Sequence, residues 1–387
     1  MNNISDIKNE NRDAIGIYVH IPFCVQKCLY CDFNSYAGAE KRYDEYVRAL
    51  LGEIRATADR SGVGGVRADS VYIGGGTPTT IDPQYINTIL SELRDRFDIA
   101  DNAEITIECN PKTAEKADFE KLLRAGVNRL SIGLQSDDDA LLKKLGRIHV
   151  YEDFLKCLSD AKEAGFENIS ADLMFGIPGQ TLEIWEKTLR NVSGLGLKHL
   201  SCYSLKIEEG TPFYEIYGEG DNKDLPDDDE NRDMYDACVN ILRENGCERY
   251  EISNFALPGY ESRHNLKYWD MSEFLGFGAG AYSYFDHYRY NNISGLGEYI
   301  TASDKVENSV KLSIADEMSE FVFLGLRRDS GISAGAFLRR FGSDIFNIYA
   351  KPLEKYIKNG ILLFDGDNIK IREDMVFVSN YILSDFV

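Results

Sequence analysis

The sequence predicts an α/β fold: a partial TIM-like barrel of six strand–helix units, followed by a small helical domain with a two-stranded wing. Two observations carry that expectation. Six short runs rich in β-branched residues alternate with amphipathic helical stretches, which argues for a parallel sheet with its helices outside. The chemically unusual residues, moreover, gather at the C-terminal ends of several different strands. Three cysteines follow the first strand and a glycine run follows the second; Glu108 ends the third, Gln135 follows the fourth and Asp172 lies in the fifth. An open doubly wound sheet concentrates its site at one switch point, whereas a barrel collects side chains from many strands at one mouth.

Residues 15–21 read as the first strand, and 40–60 have helical spacing. A strand over 70–73 runs into Gly74-Gly75-Gly76-Thr77-Pro78, and Asp82 and Pro83 open a helix over 82–96. A strand over 104–109 precedes a helix from about 113 to 124, stopped at Gly126. The fourth strand spans 129–134, with helices at 137–145 and at 151–164, the latter ended by Gly165. Strands at 168–174 and 199–205 enclose a helix over 182–192. The helix over 227–244 begins with acidic residues, which suit the positive end of its dipole, and Gly246 stops it. From about Tyr250 the pattern changes to glycine- and aromatic-rich turns and short strands. Beyond it, 314–328, 334–341 and 352–359 are helical in spacing, while 361–364 and 369–372 pair across Asp365-Gly366-Asp367 as a hairpin. The expected units are a polar tail (1–14), the barrel (15–255), a connecting segment (256–312) and a winged-helix-like domain (313–387).

A chain of 387 residues can bury a large core. Its formal net charge of -21 excludes long-range attraction to nucleic acid or to an anionic membrane surface. The polar start carries both signs of charge without a secretory or transit pattern, and no apolar run reaches the ~18 residues of a spanning helix. A cytoplasmic protein is expected. Its 23 Tyr and 20 Phe suit flat ligands as well as plain core packing. Cys109, Cys157, Cys202, Cys238 and Cys247 are scattered and read as small buried apolar groups in a reducing compartment.

Cys24, Cys28 and Cys31 are different, because they form a C-x3-C-x2-C loop directly after an apolar strand. Three thiolates can hold three irons of a [4Fe–4S] cluster and leave the fourth iron open for chemistry. Structural zinc asks for four closed ligands, commonly in pairs, and no second pair follows; His20 lies on the strand and reads as a packing residue. The acidic run Asp227-Asp228-Asp229-Glu230 reads as a solvated helix start, not a metal site.

With Tyr30 immediately before its third cysteine, the loop resembles the radical S-adenosylmethionine superfamily. That resemblance implies that the amino and carboxylate groups of S-adenosylmethionine chelate the open iron, and that reductive cleavage yields methionine and a 5'-deoxyadenosyl radical. The glycine run then resembles the superfamily's contact with the methionine amino group. Four further stretches narrow the resemblance to the oxygen-independent coproporphyrinogen III oxidase family: Tyr18-Val19-His20-Ile21-Pro22-Phe23-Cys24, Ile107-Glu108-Cys109-Asn110-Pro111, Ile132-Gly133-Leu134-Gln135-Ser136 and the run from Asp172 to Thr181. By that likeness Tyr18, Gly75 and Glu108 touch the cluster-bound S-adenosylmethionine, Glu108 through the ribose hydroxyls. Tyr30, Gly76, Thr77, Gln135, Arg147 and Asp172 stand where the oxidase holds a second such molecule.

Two departures separate the chain from the oxidase. Phe33 stands where the oxidase has an additional cysteine, and only fourteen residues precede Ile15, where the oxidase carries a longer extension. A third feature, His264-Asn265-Leu266-Lys267-Tyr268-Trp269, matches the H-N-x-x-Y-W signature of the family's haem-chaperone branch, the HemW-type proteins. A neutral imidazole can ligate haem iron, and Tyr268 and Trp269 can stack on the macrocycle. The same residues can equally satisfy loop backbone and fill core. The resemblance thus implies a chaperone that holds haem as cargo and passes it to acceptor haemoproteins, with homodimer formation left open. The alternatives are radical decarboxylation of coproporphyrinogen III and a radical enzyme with another substrate.

Overall fold

The computed structural model describes residues 13–219 and 224–387, so all but the last two residues of the polar tail lie outside it. Strand β1 (Ile15–Ile21) alternates: Ile15, Ile17, Val19 and Ile21 are fully buried, while Tyr18 and His20 point to the opposite face. Two short strands, β2 (Phe23–Cys24) and β3 (Tyr36–Ala37), pair in parallel and pin both ends of the cysteine loop.

The barrel then proceeds as α1 (Tyr43–Ala58), β4 (Arg67–Gly75), α2 (Pro83–Arg96), β5 (Asp98–Cys109), α3 (Lys116–Ala125) and β6 (Arg129–Gln135). It continues with α4 (Asp139–Lys144), α5 (Tyr151–Ala164), β7 (Asn168–Phe175), α6 (Leu182–Ser193) and β8 (His199–Ser204). Short side chains fix the helix starts: Asp82 accepts from the Gln84 N–H, and Thr181 from that of Ile184. Gly126 and Gly165 end α3 and α5 at φ +98° and +112°, a region that favours glycine. The short α7 (Pro212–Tyr217) and the long α8 (Asp228–Glu244), capped by Asp227, complete this half.

Residues 248–311 add β9 (Glu248–Glu251), β10 (Asn254–Ala256), α9 (Arg263–Trp269), β11 (Phe274–Phe277), β12 (Tyr282–Phe285), β13 (Tyr288–Asn292), α10 (Leu296–Thr301) and β14 (Val306–Lys311). Together the strands form one sheet in the order β14-β13-β12-β11-β1-β4-β5-β6-β7-β8-β10-β9. Its centre is the expected series of six parallel strands, in chain order. The segment read as turns and short strands does more than connect. Strand β11 pairs in parallel with the outer edge of β1, β12–β14 extend that side as an antiparallel meander, and β10 and β9 extend the opposite side beyond β8.

The C-terminal part contains α11 (Ile314–Gly325), β15 (Ile332–Ser333), α12 (Ala334–Phe341), α13 (Ile345–Ile348), α14 (Ala350–Lys358), β16 (Leu362–Phe364), β17 (Asn368–Ile371) and α15 (Ser379–Leu383). The predicted hairpin is β16–β17, but the wing has three strands, because β15 pairs with β17. Helix α11 stops before the predicted 328: Arg328 instead bridges to Glu251 and ion-pairs with Asp270. One apolar core runs from Ile15 of β1 through to Phe337 and Leu353. Among the described residues, no helix is long and apolar enough to cross a membrane.

Candidate metal and cofactor site

All three loop thiols are free and line one cavity of about 130 Å³, shared with Tyr30, Thr77, Gln135, Arg147 and Asp172. Cys24 Sγ lies 3.7 Å from Thr77 Oγ1, and the Arg147 guanidinium stands 3.6 Å from Cys28 Sγ. Burial pushes the Cys24 and Cys31 thiols up, so their thiolates need a compensating cation. Among the described residues, no group of three His, Cys, Asp or Glu is placed to hold a single metal ion. A cubane asks for something else: each cysteine binds a different iron, so the sulfurs stand apart on one wall. Three free thiols on one cavity, beside a buried guanidinium, fit that requirement.

Strand β4 delivers the glycine turn against the same cavity. Gly75 has φ +117°, and a Cβ there would lie 2.6 Å from the His20 ring. A Cβ on Gly76 would stand 2.6 Å from the Phe23 carbonyl, while the Gly76 and Thr77 N–H groups donate to Ile21 and Phe23 at 2.9 and 2.7 Å. The turn is thus folded flat onto the strand that leads into the cysteines.

Glu108, at the end of β5, accepts from the Gly75 N–H at 3.0 Å and from the Tyr72 hydroxyl at 2.9 Å. Burial, followed by the neighbouring Asp172 carboxylate, lifts its pKa to about 7. Asp172 accepts from Ser131 Oγ at 3.1 Å and is itself raised by burial. Gln135 closes β6 at φ +74°, on a register shift relative to β7, a strained backbone of the kind found at ligand sites. Tyr30 packs on Phe213, with ring centroids 6.4 Å apart.

A second chamber, about 430 Å³, adjoins the first through Phe33 and Glu108, and Tyr18, His20, Tyr268 and Phe274 line it. Tyr18 shares a hydrogen bond with His20 Nδ1 at 3.0 Å. Phe33 is 61% exposed at the rim common to both spaces.

The H-N-x-x-Y-W run is a helix, α9, with Ser262 as its N-cap. His264 is buried: Nδ1 pairs with Ser70 Oγ at 3.1 Å and Nε2 with the Tyr268 hydroxyl at 2.9 Å. Its ring stacks on Tyr72 at 5.4 Å, and burial lowers its pKa to about 3, which keeps it neutral. Both ring nitrogens are therefore spent inside the protein. Asn265 is half-buried in the first turn of α9, Tyr268 lines the 430 Å³ chamber, and Trp269 faces a separate, larger cavity. The four motif residues do not form one patch.

Three residues join the site that carried no sequence assignment. Asn110 donates to Thr77 Oγ1 at 2.7 Å and accepts from Arg147 at 2.6 Å, tying the glycine turn to the arginine. Tyr72 connects Glu108 to His264, and Ser131 steadies Asp172. For Tyr72 and Ser131 the sequence signal was strand alternation, since each lies on the strand face that carries Tyr18, Glu108 or Asp172, while Asn110 sits inside one of the quoted motifs.

Two family profiles match the chain, the radical SAM superfamily over residues 18–192 and the HemN C-terminal domain over residues 312–373. Heme chaperone HemW of Lactococcus lactis subsp. lactis is 34% identical over 372 residues, 96% of this chain and 96% of its own length. Heme chaperone HemW of Bacillus subtilis is 36% identical over 350 residues, 89% of this chain and 92% of its own. The solved coproporphyrinogen III oxidase HemN of Escherichia coli, described as a radical SAM enzyme, superposes with a TM-score of 0.85 over 98% of this chain and 91% of that one. At 23% identity, that match establishes the shared fold. Matched along nearly its whole length by the two HemW relatives, the chain belongs to the radical SAM superfamily and, within it, to the heme chaperone HemW family.

Proposed function

We propose that this chain is a cytoplasmic haem chaperone: it binds haem and passes it to acceptor haemoproteins. The observation that carries this reading is its similarity to a protein named heme chaperone HemW along 96% of both lengths. Phe33, standing where the oxidase places a cysteine, supports it. Membership of the radical SAM superfamily implies a [4Fe–4S] cluster and S-adenosylmethionine.

In this reading Cys24, Cys28 and Cys31 would hold three irons of a [4Fe–4S] cluster and leave one iron without a protein ligand. Such a cluster would supply electrons for reductive chemistry on S-adenosylmethionine. The chain's own groups bind and orient. Arg147 neutralises charge beside Cys28, Gly75 and Gly76 let backbone approach the ligand, and Glu108 is held ready for ribose hydroxyls by Tyr72. Tyr18 lines the adjoining chamber, while Tyr30, Thr77, Gln135 and Asp172 wall the cavity at the cysteines. His264 acts through Tyr72 and Tyr268 on the two spaces, and not as an iron ligand. A homodimer of the loaded chain belongs to the same proposal.

Anaerobically reconstituted protein should contain about four irons per chain, show a Soret band on haem titration and pass that haem to an apo-haemoprotein. Conversion of coproporphyrinogen III to protoporphyrinogen without haem binding would establish the oxidase alternative instead. Size exclusion of the reconstituted chain reads the dimer.

A further inference from the structure

A cavity of about 750 Å³ separates the barrel from the C-terminal part, on the side of α9 where Trp269 lies. That volume falls within the ~300–1,000 Å³ range of small-molecule sites. Trp269 and Phe321 give it aromatic surface. Three arginines line it, Arg328, Arg339 and Arg340, and all come from the C-terminal part. The acidic residues on its wall, Asp13, Asp270 and Glu273, come from the barrel side, and Arg328 already neutralises Asp270. The cleft is therefore polarised, with one cationic wall in a chain of net charge -21.

The arginines differ in what holds them. Arg340 donates to the Met271 carbonyl at 3.1 Å and to the Tyr284 hydroxyl at 3.3 Å, and lies 5.9 Å from the Phe321 ring. Arg328 keeps a buried Nε without a partner. Arg339 is exposed and, among the described residues, no hydrogen bond or ion pair ties it down; its charge is felt by Asp367. An aromatic wall beside guanidinium groups, one of them untied, recognises a flat apolar ligand that carries carboxylates.

The two spaces at the cysteine site lack that combination. At about 130 Å³, the cavity at the cysteines is too small for a macrocycle. The 430 Å³ chamber is aromatic, but its walls offer the Glu108 carboxyl and no lysine or arginine, so a dianion would meet no counter-charge. We infer that the haem cargo is held in the cleft between barrel and C-terminal part, with its propionates on Arg339 and Arg340 and its face against Trp269. The inference rests on the haem-chaperone reading. It also gives α9 a mechanical place, since Tyr268 faces the chamber beside Glu108 and the next residue faces the cargo.

The test is a Soret titration of the reconstituted full-length chain. Arg339→Glu should weaken haem binding by at least about tenfold, the value of one charge-assisted pair, and Arg339→Lys should recover most of the loss. Haem whose propionates are esterified should bind wild type weakly and be indifferent to Arg339→Glu. Trp269→Ala should weaken both forms. Equal haem affinity in wild type and Arg339→Glu would overturn the cleft assignment while the chaperone reading stands. Absence of any Soret shift in wild type would overturn both.

Discussion

At Gly75 one hydrogen atom in place of a methyl group keeps the ligand turn in shape. The backbone sits at φ +117°, and the ring a Cβ would strike cannot swing away, because His20 is held by the Tyr18 hydroxyl at 3.0 Å and the Asn34 carbonyl at 2.8 Å. Gly75→Ala is therefore expected to cost about 1–3 kcal/mol in strain and to abolish S-adenosylmethionine binding, measured by urea unfolding and by equilibrium dialysis. Unchanged stability would show that the turn can relax. At this scale the sequence was most legible where chemistry dictates spacing, as in Cys24, Cys28, Cys31 and the glycine run. It was least legible for Tyr72 and Asn110, whose roles arise only when neighbouring strands bring Glu108, Thr77 and Arg147 within reach.

Among the elements, α9 carries the most information for its length. Its seven residues are too few for helical periodicity to show, and Pro258 and Gly259 upstream suggest turns. Tertiary contacts hold it instead: Lys267 donates to the Ala14 carbonyl at 2.6 Å and pairs with Asp69 at 2.7 Å, and His264 bonds Ser70. Tyr268→Phe keeps the ring against Phe274, at 4.7 Å, but strands the buried His264 Nε2. The expected loss is about 1–3 kcal/mol, read as a shifted denaturation midpoint with an unchanged slope. A variant as stable as wild type would remove the His264–Tyr268 bond from any account of the motif. Strand β11 was illegible for a related reason: nothing local in Phe-Leu-Gly-Phe announces that it will pair with Gly16–Val19.

Across the whole molecule, buried titratable groups set the response to acid. Burial lifts Glu53, Glu108 and Glu251 to about 7, and lowers His149 to about 4 and His264 to about 3. Between the ordinary carboxyl value, about 4.3, and 7, the unfolded chain has released protons that the folded carboxyls keep, so their contribution falls as pH rises. The histidines work in the other direction. Below about 6.5 the unfolded chain takes up protons that the folded rings refuse, so their contribution falls as pH drops. The two sets oppose each other between about 4.5 and 6.5. With three carboxyls against two histidines, the thermal midpoint of the metal-free chain should fall gently as pH rises through that window, fall more steeply just above it, and decline below it through the histidines. A steady rise to pH 8 would contradict these assignments. The six repeating strand–helix units were legible because each declares its own periodicity, whereas the flanking strands over 248–311 depend on the sheet they join.

The outer edge of β1 is sealed by β11, a strand encoded long after it. On the ribosome, the first strand and its thiols therefore emerge into solvent with one flank bare until most of the polypeptide has been synthesised. A prematurely terminated product ending before residue 274 would keep that edge open to pairing with other chains. Any cluster held by those thiols is accordingly best assembled after translation, once β11 has covered the bare edge of β1.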